Sequence, residues 1–462
     1  MPPSRKAHRK RSGCLPAAPC TNGYASTRRR TTVLDRIVAS RRTQLDDITY
    51  GPAPRSERSL ETSLLRNGPQ FIMECKSASP SLGEIRADYK PAELASIYSR
   101  YAAGISVLCE PTWFGGSYAH LATVAATTHL PVLCKDFIID ERQVRAARYY
   151  GADAILLMLS VLDDDEYRHL ADVAEELGLD VLTEVVDEDE CARASALGAR
   201  IVGINHRELA TLTIDLGRSA RLRPLIDAPV VIGESGIRSH DTVRSMDFLD
   251  GFLVGSHLSG CEDVDAAARA LVFGEHKVCG LTSPEIAQTV RAAGATYGGL
   301  IFAPESPRNV SRETSEKIMA AEPGLKYVYV TREHNGWDLP DGIHAIQIHG
   351  EAADEDALLR GARATGLEVW RAVDMSHGFH YEYDVDRIVL DVGNGGTGHS
   401  FDWDTIPSGV NAMLAGGLNL KNLTQALDTG LPLDLNSGLE REPGVKDPGA
   451  ILSAFRTIKE HR

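Results

Sequence analysis

Short apolar, β-branched runs recur along this chain in two successive series of eight, each run followed by a polar, Ala-rich stretch of helical character. The first series reads FIMECK (71–76), ISVLCE (105–110), PVLCKD (131–136), AILLML (154–159), DVLTEV (180–185), IVGINH (201–206), PVVIGES (229–235) and GFLVGS (251–256). The second reads HKVCGL (276–281), YGGLIF (297–302), KYVYVT (326–331), AIQIHG (345–350), EVWRAV (368–373), RIVLDV (387–392), NAMLAGG (411–417) and LPLDLNSG (431–438). Near-continuous apolar strands alternating with helices require a parallel sheet covered on both faces, since half-solvated strands would alternate polar and apolar residues. A doubly wound open sheet also alternates strand and helix, but two consecutive sets of eight point to closure. The expected fold class is therefore α/β, as two tandem (β/α)8 TIM barrels.

Residues 31–65 precede the first strand and begin with a helical pattern, TVLDRIVASRRTQLDDI, which predicts an extra N-terminal helix capping the first barrel. The second series starts near Gly274–His276 with almost no linker. The division expected is a basic extension (1–30), a first barrel (31–272) and a second barrel (273–462).

Charge narrows the partners. Residues 1–30 hold eight Lys or Arg and no acid, so a chain of net −15 carries −23 on the remainder. A body that acidic repels the nucleic-acid backbone, and no apolar run is long enough to span a membrane. The tail lacks an apolar core and is no secretory signal; it reads as a disordered extension, an upstream start, a transit-peptide-like segment or a basic arm. The eight cysteines form no C-x-x-C pair and several lie inside apolar runs, the pattern of reduced thiols in a cytoplasmic protein.

In a barrel of this kind, functional residues collect at the C-terminal ends of the strands. The first series places Glu74 and Lys76 at strand one, Lys135 and Asp136 at strand three, and Glu184 at strand five. Asn205 ends strand six, Glu234 and Ser235 strand seven, and Gly255 and Ser256 strand eight. Any one of these reads equally as a rim salt bridge. A ring of three Glu and two Lys around one mouth supplies general acids and bases whose pKa values shift one another. The turns ESG (through Gly236) and GS after strands seven and eight occupy the phosphate position of the fold, where backbone N–H groups receive an anion.

The second series places Cys279 at the end of its first strand and Asp391 at the end of its sixth. A thiol and a carboxyl across a barrel mouth suit the acid–base work of an aldose–ketose isomerisation, although a lone strand-end Cys is more often packing. GNGGTG (with Gly395 and Gly396), AGG (Gly416 and Gly417) and NSG (Asn436 and Ser437) follow strands six to eight as a phosphate cradle, while Arg308 and His349 add a cation and an orienting group.

ECKSASPS (74–81), LCKDFIID (133–140), LLMLSVLDDDEY (156–167), LTEV (182–185), GINHREL (203–209) and GESGI (233–237) together resemble indole-3-glycerol-phosphate synthase over residues 31–272. The resemblance implies ring closure and decarboxylation of a carboxyphenylamino-deoxyribulose phosphate. It makes Lys135 the general acid on the ketone and Glu184 the group assisting later proton removal and dehydration, with Glu74 and Lys76 completing the charge network. It sets Ser79, Asn205 and Arg207 at the anthranilate carboxylate or ring, Phe137 against the ring, Glu234 and Ser235 in the polar mouth, and Gly236, Gly255 and Ser256 on the phosphate. His206 departs from that family's commoner Asn or Ser and reads as a loop residue.

KVCGLT, SPRNV, QIHG, LDVGNGGTGHSFDW and LAGGL are similar to phosphoribosylanthranilate isomerase over residues 276–458. That similarity implies an Amadori rearrangement with Cys279 as general base, Asp391 as general acid and Arg308 near the substrate carboxylate. The isomerase would make the substrate of the first barrel, which places both halves in tryptophan biosynthesis. A degenerate, purely structural half and a phosphate-binding regulatory protein are disfavoured because the acids and bases of both halves are present. A histidine-pathway isomerase would use two Asp where Cys279 stands. No metal cluster or dinucleotide fingerprint occurs, so no cofactor or metal is expected, and two fused barrels are expected to remain a monomer acting on small phosphorylated substrates.

Overall fold

The computed structural model describes residues 32–208, 211–332, 339–350, 355–380, 384–392 and 400–461. Eight parallel strands close the first barrel: β1 (Gln70–Cys75), β2 (Gly104–Leu108), β3 (Val132–Lys135), β4 (Ala154–Met158), β5 (Asp180–Val185), β6 (Ile201–Asn205), β7 (Val230–Glu234) and β8 (Gly251–Val254). Closure is regular, with Gln70 to Met73 of β1 paired in register with Gly251 to Val254 of β8. Six of the strands are buried along their whole length, the consequence of a parallel sheet covered by helices outside and by packed side chains within.

The second barrel repeats the plan with β9 (Lys277–Cys279), β10 (Tyr297–Phe302), β11 (Lys326–Thr331), β12 (Ile343–Ile348), β13 (Glu368–Asp374), β14 (Arg387–Asp391), β15 (Ala412–Leu414) and β16 (Asp434–Leu435). Its last seam is sparse. β15 meets the segment entering β16 through a single parallel bridge, Leu414 to Leu433, where Leu414 N donates to Pro432 O at 2.8 Å.

The segment before β1 does two jobs at opposite ends of the first barrel, where one capping helix was expected. The helix Val33–Thr43 starts at a capping box between Thr32 and Asp35 and sets Val33, Leu34 and Ile37 beside Phe114 and Phe137 at the mouth. Its Arg41 reaches Asp136, just past β3, with Nε to Oδ1 at 3.0 Å. The short helix Leu60–Leu64 closes the floor instead. Leu60 and Leu64 are fully buried with Ile72, Leu133 and Leu182 inside the barrel, and Asp180 at the start of β5 accepts from Ser59 Oγ at 2.9 Å.

Arg41 and Asp136 are both buried, so each neutralises a charge the other would leave stranded. Arg41→Met is expected to destabilise the first barrel by about 3–5 kcal/mol in denaturant unfolding, and adding Asp136→Asn to recover part of that loss. Equal stability of Arg41→Met and the parent chain would show the pair to be dispensable.

The barrels share one continuous apolar core. Phe273, which ends the helix Val264–Phe273, packs against Tyr101 of the first barrel and Phe455 of the second, and its ring fills the space that a side chain at Gly294 would need. Asp265 pairs with Arg291 at 2.8 Å across the junction. Arg238, His240 and His257, from the loop and helix starts that follow β7 and β8, lie with Glu275, His276, Arg387 and Pro432 at the strand-start end of the second barrel. The second mouth therefore opens at the end away from this contact.

Candidate active sites

The first mouth encloses a cavity of about 500 Å³ lined by Glu74, Lys76, Lys135, Phe137, Glu184, Asn205, Arg207, Ser235, Gly236, Gly255 and Ser256. Strand ends aim these groups inward, above an apolar floor that includes Leu156, Met158 and Leu253. Lys135 Nζ lies 2.6 Å from Glu234 Oε2 and 3.7 Å from Glu74 Oε2, and Lys76 Nζ lies 3.1 Å from Glu74 Oε1. Glu234 sits beneath the cavity as the counter-ion of Lys135, with its Oε1 buried and unpaired. Asn205 Nδ2 donates to Glu184 Oε1 at 3.1 Å, and Arg207 N donates to Asn205 Oδ1 at 3.0 Å.

These contacts divide the ionisations. Burial would deprotonate Lys135, but the charges of Glu234, Glu74 and Glu184 outweigh it and raise its pKa above the ordinary lysine value. Burial would likewise raise Glu74, and Lys76 and Lys135 together hold it below the usual carboxylate range. Glu184 is the exception: burial, reinforced by Glu234, pushes it up to about 7 despite Lys135. One mouth thus holds a firmly protonated ammonium beside a carboxyl poised to exchange a proton near neutrality.

Ser79 stands to one side. It faces a smaller hollow shared with Lys76, Phe114, Phe137 and Arg207. Phe114 was not singled out in the sequence; its ring lies tilted 5.9 Å from that of Phe137 with Lys76 at 5.4 Å over it, and its only signal was an aromatic before Gly-Gly, at the end of the short helix Pro111–Phe114 after β2. His206 lies in the loop after β6, as its place in the sequence suggested, and it is an anchor of that loop. It is fully buried, with Nδ1 2.8 Å from Ser235 O and Nε2 2.6 Å from Ser219 Oγ, and it anchors the turn in which Ser235 adopts φ +69°.

Gly255 fits because it has no side chain. A Cβ there would stand 2.3 Å from Glu74 Oε1. Gly255→Ala is expected to displace Glu74 from both lysines and lower synthase turnover about tenfold or more, since small misplacements of reacting groups carry such costs. An unchanged turnover would detach Glu74 from the reaction.

The second mouth encloses about 330 Å³, lined by Cys279, Arg308, His349, Asp391, Gly416, Gly417, Asn436 and Ser437, with Asp434 among them. Gly395 and Gly396 lie outside the described residues. Burial pushes Asp391 up to about 7, against the Val392 N–H that donates to it at 2.7 Å. Burial also raises the Cys279 thiol, while Lys277 pulls it down. Arg308 is not a free cation: Nε and Nη2 each lie 2.8 Å from the carboxylate of Glu440, which also accepts from Lys446 at 2.6 Å. The cluster of two cations and one anion leaves one positive charge beside the cavity. Gln347 Nε2 lies 2.6 Å from His349 Nε2, and burial lowers that imidazole to about 3, so it is neutral. Among the described residues, no group of three or more His, Cys, Asp or Glu is placed to hold a metal.

The family model for indole-3-glycerol phosphate synthase matches residues 28–271, and that for N-(5'-phosphoribosyl)anthranilate isomerase matches residues 276–457. The "Tryptophan biosynthesis protein TrpCF" of Corynebacterium glutamicum is 56% identical over an alignment covering 92% of this chain and 98% of that protein. The chain belongs to the TrpCF family. The TrpCF protein of Salmonella typhi is 44% identical, over 85% of this chain and 89% of its own. The phosphoribosyl anthranilate isomerase structure from Thermus thermophilus is 28% identical, covering 39% of this chain and 96% of that one with a TM-score of 0.36. As a TrpCF protein the chain is a bifunctional enzyme of tryptophan biosynthesis, a carboxy-lyase in its N-terminal synthase barrel and an isomerase in its C-terminal barrel.

Proposed function

We propose that Cys279 and Asp391 carry the isomerase step and that Lys135 and Glu184 carry the synthase step. The observation that supports this reading is that each mouth holds its own cavity and its own acid–base set, with no reacting group shared. In the second barrel, Asp391 gives a proton to the ring oxygen of N-(5-phosphoribosyl)anthranilate as the C1'–O bond breaks. Cys279 then removes the C2' proton, and the enolamine relaxes to 1-(2-carboxyphenylamino)-1-deoxyribulose 5-phosphate. Gly416, Gly417, Asn436 and Ser437 hold the phosphate, and the surplus positive charge of Arg308, Glu440 and Lys446 receives the anthranilate carboxylate.

In the first barrel, Lys135 protonates the ketone oxygen of that product while the ring carbon attacks it. Carbon dioxide leaves, and Glu184 assists the proton transfers that expel water to give indole-3-glycerol phosphate. Arg207 and Asn205 orient the carboxylate, Phe137 and Phe114 flank the ring, and Ser235, Gly236, Gly255 and Ser256 face the phosphate. The domain limits we propose are 31–272 and 273–462, in a monomeric cytoplasmic protein. With the second mouth facing away from the junction, the intermediate crosses solvent between the barrels. A steady-state assay of the purified chain with N-(5-phosphoribosyl)anthranilate, following the isomer and carbon dioxide, tests the whole reading. A lag before carbon dioxide release is expected. Release without any free isomer would contradict the solvent route, and no release would contradict the sequence of steps.

A further inference from the structure

Lys277 is an unusual residue to find inside a barrel. It lies on β9 two positions before Cys279, so both side chains point to the interior, and it is fully buried. Its Nζ lies 2.7 Å from Asp434 Oδ2 on β16 and 2.7 Å from Gln347 Oε1 on β12, and the charge it brings beside the Cys279 thiol pulls that thiol down against burial. The neighbouring strand makes room for that meeting. Cys279 is in register with Gly299 of β10, where a Cβ would stand 2.7 Å from Cys279 Sγ and 3.0 Å from Lys277 Cε.

A buried ammonium is costly, and one carboxylate with one amide already satisfies this one for charge. Its charge beside the thiol favours the ionised form, a strong acceptor, over the protonated one, a weak acceptor. The amide that accepts from Lys277 through Oε1 donates through Nε2 to His349, so the same network fixes the neutral imidazole beside the cavity. The other charged groups around the thiol are accounted for. Lys446 and Arg308 share Glu440, Asp434 opposes the thiolate, and Asp391 stands across the mouth.

We propose that Lys277 is a positioning residue of the isomerase, its ammonium charge-balancing the thiolate form of Cys279 while Asp434 and Gln347 hold it in place. This rests on Cys279 being the base. Lys277 touches no substrate; it acts through the thiol.

The test is the rate of Cys279 alkylation by iodoacetamide in the full chain, read by mass spectrometry of its peptide from about pH 6 to about pH 10. Lys277→Met is expected to slow alkylation at neutral pH about tenfold, the equivalent of one pKa unit, and Asp434→Asn to speed it by a similar factor. Lys277→Arg should fall between Lys277→Met and the parent. A purely structural role predicts the reverse for Lys277→Met, because a loosened barrel exposes the thiol and alkylates faster. Lys277→Met should also lower isomerase kcat about tenfold with KM changed less than about threefold, leaving synthase turnover as the control for folding. Should Lys277→Met fail to fold, the opposite sign expected of Asp434→Asn carries the test alone. Faster alkylation in Lys277→Met, or unchanged alkylation in Asp434→Asn, overturns the proposal. Full isomerase activity in Cys279→Ala would overturn the base assignment instead, a result the alkylation rates do not share.

Discussion

Lys135→Met is expected to cut synthase turnover by about 10²–10⁴, the range for loss of a positioned general acid, while the isomerase activity of the same preparation stays at the parent level. The size follows from how the ammonium is held. Three carboxylates surround it, so it stays protonated across the working range and always has a proton for the ketone oxygen. Removing it also strands Glu234, whose only close cation it is among the described residues, and frees Glu74 to turn toward Lys76 alone. A second signature separates chemistry from collapse. Glu184 stands at about 7, and Lys135 is what pulls it down against burial and Glu234. If Glu184 works as the ionised acceptor, synthase activity rises with pH through about 7, and the residual activity of Lys135→Met rises at a higher pH. Undiminished carbon dioxide release would remove Lys135 from the mechanism.

The frame was legible because its signal is repetitive. Strands such as IVGIN and VVIGE are apolar up to their last residue, which only a doubly covered parallel sheet tolerates, and counting them pointed to both barrels. The ring of Glu74, Lys135, Glu184 and Glu234 was legible for a related reason, since charges at the ends of apolar strands stand out. Lys277 and Asp434 begin their strands within HKVCG and LPLDL, where a rule about the C-terminal ends of strands does not reach, and only the closed barrel shows them paired in its interior. Two more features needed three dimensions. The Arg41–Asp136 pair joins residues 95 positions apart, and nothing local in SRRT says which arginine turns inward. His206 follows Asn205 as any loop residue could, and only the packed barrel shows it gripping the carbonyl of Ser235. Glu440 is similar: it lies in a short hairpin beyond the last barrel strand, so no rule about barrel strand ends reaches it, yet it decides how much charge Arg308 has left for a substrate.

Cys279→Ala is expected to lower isomerase turnover by about 10²–10⁴ with synthase turnover unchanged, and the pH profile of the intact enzyme tells why the pair works. The reacting state has the thiol ionised and Asp391 protonated, one proton for two groups. The alternative arrangement, thiol protonated and carboxylate ionised, also holds one proton, and a rate profile counts the two together. Burial sets Asp391 at about 7 and lifts the thiol above its usual value, so the one-proton pair prevails between those limits. Isomerase kcat/KM should therefore rise with pH through about 7 and fall only in the alkaline range, although the group titrating at 7 is the acid. Asp391→Asn should lose most of the activity and the rise at 7 with it, because no carboxyl is left to titrate there. A profile that falls through 7 would mean that the thiol ionises below the carboxyl. The Lys277 ammonium would then outweigh the burial of Cys279.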